Sequence, residues 1–207
     1  LVPPGTFPYQ RESADGEGVR RSGLLRQLVT HLESSTRFVT TTGLISREMG
    51  PMMAEAGRDP ENLLRVVGGM GLASTIALSV AHHRPDVPVC VVDGDGAYLM
   101  HAGAGASVGA LAPANLIHVV FDNGCHESTG AQPRTGPQVD FPGLARAFGY
   151  AGVHTVNSED ELASCLCLQE EGPRFIHVRG VATAGALPPR PTDSPRDNIR
   201  RFTRGLT

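Results

Sequence analysis

The sequence predicts an α/β fold: a doubly wound, mainly parallel sheet with helices on both faces. Two observations predict it locally. The stretches Val89–Tyr98 and Asn115–Gly124 each open on an apolar run rich in Val and Ile, the pattern of a strand buried on both faces. Each then ends in small, acidic or amide residues, Gly94-Asp95-Gly96 and Asp122-Asn123-Gly124. Open α/β sheets collect their ligands at that carboxyl edge. A third observation is global: strand-like and helix-like segments alternate along the chain, with no internal repeat.

The elements follow in order. Residues 1–18 are rich in Pro, Gly and charge, lack periodicity and read as a linker or arm. The chain opens on Leu1 rather than Met, as expected of a piece of something longer. Val19–Leu32 carries Leu24, Leu25, Leu28, Val29 and Leu32 at helical spacing. Arg37–Thr41 reads as a strand running into the turn Thr42-Gly43, and Ser46–Glu48 can open a helix. A short apolar stretch, Leu63–Val67, leads to Gly68-Gly69-Met70-Gly71. The next helix, Leu72–His83, is rich in Ala and Leu and ends before Pro85 and Pro88.

Beyond the first central strand, Ala97–Ala112 predicts one small-residue helix stopped by Pro113. Cys125–Pro142 reads as a long loop, and loops of that length are usually functional. Gly143–Phe148 predicts a helix and Ala151–Val156 a strand. Ser158 and Glu161 form a capping box for the following helix. Arg174–Arg179 is the last strand, 181–195 a loose segment and Asp197–Leu206 a terminal helix. The expected organisation is an arm over 1–18, a ligand-binding domain over 19–180, and a C-terminal loop and helix over 181–207.

Composition narrows the partners. The chain has 207 residues, 40% of them hydrophobic, so one domain with a real core is expected. A formal net charge of −3 gives no basic footprint for nucleic acid and no polybasic membrane patch. No apolar run reaches the roughly 18 residues of a membrane span, and no secretory signal pattern opens the chain. Cys90, Cys125, Cys165 and Cys167 include a C-x-C but no second pair to complete a zinc site. They read as free thiols of a cytoplasmic protein.

The chemistry concentrates at the two strand ends. Asp95 and Asn123 are hard oxygen donors suited to Mg²⁺, which keeps several waters and takes phosphate oxygens from a ligand. Gly94, Gly96 and Gly124 let the main chain approach such oxygens, and the segment from Ala97 can offer free N–H groups. A lone Gly-Asp-Gly is also an ordinary turn, and the Asn 28 residues on makes the pair more specific. Gly68–Gly71 alone fits a tight turn with a core Met. His126, titrating near neutrality, is a surface histidine unless a site surrounds it. No G-x-G-x-x-G follows the first strand, which argues against a dinucleotide dehydrogenase.

The Gly94-Asp95-Gly96…Asn123 pair resembles the signature of thiamine diphosphate enzymes. More narrowly, Thr41–Glu48, Gly94–Ala97 with Met100-His101, Asp122–Gly130 and Arg190–Pro195 with Asn198 resemble the phosphonopyruvate decarboxylase family. Gly5–Tyr9 resembles that family's link after its pyrimidine-binding half, and the β subunits of sulfopyruvate decarboxylases are similar but less close. The resemblance implies that Asp95, Asn123 and the Cys125 carbonyl hold Mg²⁺ on the diphosphate. Thr42, Gly43, Gly94, Gly96 and Ala97 would line that tail. Met70, between Gly68-Gly69 and Gly71, would wedge the cofactor into its bent shape, with the Gly68 carbonyl accepting from its amino group. Arg47 and His126, with Arg190 behind them, would face a phosphonate, and His126 would serve as proton donor.

The implied activity is decarboxylation of a 2-oxo acid, phosphonopyruvate giving phosphonoacetaldehyde and CO₂. A sulfopyruvate decarboxylase, a carboligase and a cofactor-binding scaffold subunit stay open beside it. The family's activating glutamate lies on a pyrimidine-binding domain with no counterpart here. The resemblance therefore implies a partner domain or α subunit in a homo- or hetero-oligomer. The chain departs from the family at Leu44, where a Lys or another large residue is usual, and over 181–188, which is uncharged here.

Overall fold

The computed structural model describes residues 17–183 and 187–206. Most of the expected arm, Gly5–Tyr9 included, and three residues of the 181–195 segment lie outside the described residues. The element order is β1 (Val19–Arg20), α1 (Arg21–His31), β2 (Arg37–Thr40), α2 (Leu44–Glu55), β3 (Leu63–Arg65), α3 (Ala73–His83), β4 (Val89–Gly94), α4 (Asp95–Met100) and α5 (Ala104–Leu111). It continues with β5 (Leu116–Asp122), β6 (Cys125–His126), β7 (Gln132–Pro133), α6 (Phe141–Phe148), β8 (Gly152–Val156), α7 (Glu159–Leu166), β9 (Arg174–Val181) and α8 (Pro195–Arg204).

Seven strands form one parallel sheet in the order β3-β2-β4-β5-β9. Both β8 and β1 pair with β9, along Arg174–Val178 and Gly180–Val181 respectively. Residues alternate between two cores because side chains alternate along a strand. Cys90, Val92, Ile117 and Val119 pack toward α1, α2 and α7. Val89, Val91, Leu116 and Val120 pack toward α3, α5, α6 and α8. The doubly wound, two-faced sheet expected from the sequence is the one observed.

The winding also positions the site. After β2 the chain leaves through α2 on one face, whereas after β4 it leaves through α4 and α5 on the other. A crevice opens where neighbouring strands send their helices apart. Here it lies between the carboxyl ends of β2 and β4.

Val19 and Arg20, expected at the start of the first helix, instead pair with β9 as β1, so α1 begins at Arg21. Two further segments differ from the sequence expectation. The helix expected over 97–112 starts earlier, at Asp95, and splits at His101–Gly103 into α4 and α5. The small residues Ala102 and Gly103, flanking the C-cap His101, let the chain turn there, with His101 N–H donating to the Tyr98 carbonyl at 3.2 Å. The long 125–142 loop contains a finger, β6 antiparallel to β7. The His126 carbonyl closes its tip by accepting from Thr129 and Ala131 N–H, both at 3.1 Å.

Local chemistry explains the helix boundaries. Asp140, Ser158 and Ser194 each cap a helix start by accepting from the N–H three residues on, which satisfies an orphan donor. Asn198 is buried and acts as a piece of strand: Oδ1 accepts from Arg65 N–H at 2.8 Å and Nδ2 donates to the Leu63 carbonyl at 2.9 Å. Its contacts fasten α8 to the edge strand β3.

The tightest helix contact joins α5 to the end of α6. A Cβ on Gly109 would run into the Phe148 carbonyl, whereas one on Gly103 would meet nothing within 4 Å. Gly109→Ala should therefore cost about 1–3 kcal/mol through overpacking, despite alanine's better helix propensity. Gly103→Ala should leave the urea midpoint close to that of the native chain, and paired urea denaturation curves check both.

Candidate active site

The cleft at the switch point is lined by Thr42 and Gly43 after β2, by Gly94, Asp95, Gly96 and Ala97 at the turn from β4 into α4, and by Asn123, Cys125 and His126 after β5. Met70 reaches it from the loop before α3. The two strand ends are joined directly, since Gly124 N–H donates to Asp95 Oδ2 at 3.0 Å. Asp93 sits two residues earlier on β4, is fully buried, and meets His118 Nε2 at 3.2 Å; His118 Nδ1 meets the Tyr150 hydroxyl at 2.8 Å. That buried chain anchors the strand from beneath and engages Asp93, so Asp95 and Glu127 are the carboxylates that line the cleft.

Two ionic clusters flank the cleft. In the first, Arg134 Nε donates to Asp95 Oδ2 at 3.0 Å and its Nη2 to Asp122 Oδ1 at 3.2 Å. The guanidinium lies 5.0 Å from the Phe141 ring centroid. Burial, then the nearby Asp122, pushes the Asp95 carboxyl above the usual range. Burial would also raise Asp122, but the hydrogen bond from His177 at 3.0 Å, with Asp95 and Arg134, outweighs it and holds Asp122 low. In the second cluster Arg21 is gripped by Glu48 through two hydrogen bonds, 2.9 and 2.7 Å, and also donates to Glu127. Glu127 Oε2 accepts from Asn123 Nδ2 at 2.9 Å.

The cleft suits an anion on a cation. The Thr41 hydroxyl is buried and has no hydrogen-bond partner among the described residues, and Thr41 lines the cleft. A Cβ on Gly94 or Gly124 would meet nothing within 4 Å, so open space stands beside both turns. Helix α2 begins at the cleft with no capping side chain, at a Gly43 whose φ of 100° favours glycine. Its first N–H groups and dipole suit phosphate oxygens. Among the described residues no three His, Cys, Asp or Glu side chains cluster as a metal site. One carboxylate, one amide oxygen and a carbonyl form a hard oxygen set of the kind Mg²⁺ takes beside phosphate. The residues present fit a metal-bound diphosphate.

Close approach dictates another glycine. A Cβ on Gly96 would collide with the His126 ring, so this position lets the imidazole lie on the start of α4. Gly68 and Gly69 do not line the cleft themselves: Gly68 is exposed with open space beside it, and Gly69 packs beside Val66 and Leu72. Arg47 lies in a second cavity of about 420 Å³. Thr42, Gly43, Met70 and Ser128 line both cavities, so Met70 stands at their seam.

The second cavity also holds Arg190. Its other arginine, Arg65, is paired with Asp193, which also binds Arg201 at 2.7 Å. Among the described residues Arg47 has no carboxylate partner, only the Pro188 carbonyl at 3.4 Å, and Arg190 has none either. Sequence reasoning singled out neither Arg134, Arg21 nor Glu127 as a site residue. Glu127 sits inside the Asp122–Gly130 stretch, but its partner Arg21 is 106 residues away.

Comparison with known proteins decides the family. The model of the thiamine pyrophosphate enzyme C-terminal TPP binding domain matches residues 50–178, more than half of the chain. The chain belongs to that family. Phosphonopyruvate decarboxylase of Streptomyces viridochromogenes is 39% identical over 96% of this chain and 49% of its own length. Sulfopyruvate decarboxylase subunit beta of Methanothermobacter thermautotrophicus is 33% identical over 68% of this chain and 71% of its own. The chain spans about half the length of the phosphonopyruvate decarboxylases it matches. Benzoylformate decarboxylase from Polynucleobacter necessarius shares the fold, with a TM-score of 0.68 at 18% identity over 87% of this chain and 36% of that one. Thiamine diphosphate, with Mg²⁺, is the cofactor of this family's chain. Among the described residues no helix is long and apolar enough to cross a membrane.

Arg134 is the buried counter-charge of the first cluster. Arg134→Ala should destabilise the chain by about 3–5 kcal/mol, because it leaves two neighbouring carboxylates without their cation. Arg134→Lys should recover only part of this, having no planar fork to span both. Thermal unfolding of the three proteins without divalent metal checks the order.

Proposed function

We propose that this chain supplies the diphosphate-binding half of a thiamine diphosphate- and Mg²⁺-dependent 2-oxo acid decarboxylase, with phosphonopyruvate as substrate. The observation that carries the reading is one cleft holding Asp95 and Asn123, joined through Met70 to a cavity with two arginines that lack carboxylate partners among the described residues. In this reading residues 19–180 form the cofactor domain, 1–18 a link, and 181–207 a loop and helix walling the second cavity. The phosphonopyruvate decarboxylase relatives support the substrate.

Asp95, Asn123 and the Cys125 carbonyl would hold the metal. Thr42, Gly43, Gly94, Gly96 and Ala97, with the Thr41 hydroxyl and the start of α2, would hold the diphosphate. When bound, thiamine diphosphate would supply a carbon nucleophile and an electron sink for the loss of CO₂. Met70 would wedge between the cofactor rings, with Gly68 and Gly69 shaping its turn and the Gly68 carbonyl orienting the amino group. His126 would give a proton to the carbon that lost CO₂. Arg47, with Arg190 behind it, would grip the phosphonate, and His126 would face it. The activating glutamate would come from a pyrimidine-binding domain or α subunit, in a homo- or hetero-oligomer of the cytoplasm.

A second substrate stays in view because a sulfopyruvate decarboxylase subunit beta is matched over most of its length. Phosphonopyruvate, sulfopyruvate and pyruvate should be compared with the complete protein, Mg²⁺ and thiamine diphosphate. Phosphonopyruvate should give the highest kcat/KM, and preference for sulfopyruvate would replace the substrate assignment. Arg190→Ala and Arg47→Ala should each raise KM for phosphonopyruvate about 10-fold or more, the loss of a charge-assisted hydrogen bond. Turnover of pyruvate, which lacks the distal anion, should barely change. Asp95→Ala should abolish turnover of all three, and unchanged turnover would exclude the cleft as the site.

A further inference from the structure

We infer that Glu127 is a positioning residue for the cation site: its carboxylate holds the NH₂ end of the Asn123 side chain and leaves the amide oxygen for the metal. The inference rests on the reading of the cleft as a Mg²⁺–diphosphate site. An asparagine amide has two ends of nearly equal shape and opposite chemistry. Only the oxygen can ligate Mg²⁺, and an NH₂ turned toward the ion would repel it.

Two independent contacts select one orientation. Asn123 Nδ2 lies 2.9 Å from Glu127 Oε2, and an ionised carboxylate can only accept. Cys125 N–H lies 3.2 Å from Asn123 Oδ1, and an N–H can only donate. The second contact is a weak turn bond at the mouth of the finger, so the first carries most of the selection.

Glu127 is itself fixed from three elements. Its Oε1 accepts from Thr183 N–H at 2.8 Å, just beyond β9. Its Oε2 also accepts from Arg21 at the start of α1, and Arg21 is forked onto Glu48 of α2. Glu127 is only 7% exposed, so water offers the amide little competition. The buried carboxylate therefore does more than neutralise Arg21, a task Glu48 already shares. It carries rigidity from two helices and the last strand to one end of one amide. Partners behind a metal ligand commonly govern affinity in this way.

The test uses the complete protein, with its pyrimidine-binding half, and reads the Mg²⁺ concentration that half-saturates thiamine diphosphate binding in equilibrium dialysis. Glu127→Gln keeps an oxygen that can accept from Asn123, whereas Glu127→Met has similar length and no acceptor. Both remove the charge facing Arg21, but Met also removes the acceptor for Arg21 and for Thr183 N–H, so the Gln-to-Met contrast is repeated where the bond to Asn123 cannot matter. Glu127→Met should raise the half-saturating Mg²⁺ at least about 10-fold, and Glu127→Gln should stay near the native value. In an Asn123→Asp background both ends of the side chain are oxygen, so the two neutral variants, Glu127→Gln and Glu127→Met, should differ little.

Equal half-saturation for Gln and Met, or an unchanged Gln-to-Met difference in the Asp background, would overturn the role. Glu127→Ala makes the same comparison should the Met protein fail to fold. If the native protein binds no cofactor with Mg²⁺, the cleft reading fails and this inference falls with it. If it binds and the Glu127 variants match it, only this inference fails.

Discussion

The site depends on the parallel register of β4 and β5. Parallel strands all end at the same edge, so side chains that follow neighbouring strands are delivered to one place. Gly94 stands opposite Phe121, and the chain beyond each strand turns directly into the cleft. The hydrogen bond from Gly124 N–H to Asp95 ties the two turns together. A register slip would break that bond and invert which face each residue of β5 meets, because the side-chain period is two. The hydrophobic alternation that fills the two cores thus also fixes the spacing of the polar groups.

The second constraint is charge. On each side of the cleft one buried arginine sits between two carboxylates: Arg134 between Asp95 and Asp122, Arg21 between Glu48 and Glu127. Each cluster therefore holds two anions against one guanidinium, with His177 assisting Asp122. Buried carboxylates in excess of their cations favour either proton uptake or a further cation. The upward push on Asp95 is the first response, and in the proposed reading a divalent ion would be the second. Under that reading the start of α2 and the open glycine turns would give the ion's anionic partner a place that carboxylates alone would deny it.

How much was legible in the sequence follows from the range of each interaction. The sheet and most helices are periodic patterns, and Gly94-Asp95-Gly96 and Asn123 lie at strand ends that those patterns define. The split between α4 and α5 was hidden, because Ala, Gly and Leu read as one helix when packing is unknown. The finger over 125–133 was hidden too, since two-residue strands leave no pattern. Arg134 is 39 residues from Asp95, and Arg21 is 106 from Glu127, so no local spacing could pair them. The stretch resembling the family at Arg190–Asn198 divides by role. Asp193 binds arginines, Ser194 caps α8 and Asn198 fastens that helix to β3, so these positions hold structure. Arg190, which also lines the cavity, has no carboxylate partner among the described residues.

That division explains how the second cavity keeps its positive character. Arg65 and Arg201 are both engaged by Asp193, which fixes the wall and removes them from competition for an anion. Arg47 stands on α2, the helix whose start faces the cleft. One helix therefore presents N–H groups to the cleft from its first turn and a guanidinium to the cavity beside it. Two anionic groups held this way have a fixed separation, set by helix geometry rather than by flexible loops. Arg190 lines the same cavity from the segment whose Pro188 carbonyl accepts from Arg47 at 3.4 Å. A small acid carrying a second anion would then be oriented by that distal charge, leaving its carbonyl toward Met70 at the seam. A substrate without that charge would enter the same space with no such orientation, and discrimination would come from positioning rather than from the shape of the pocket.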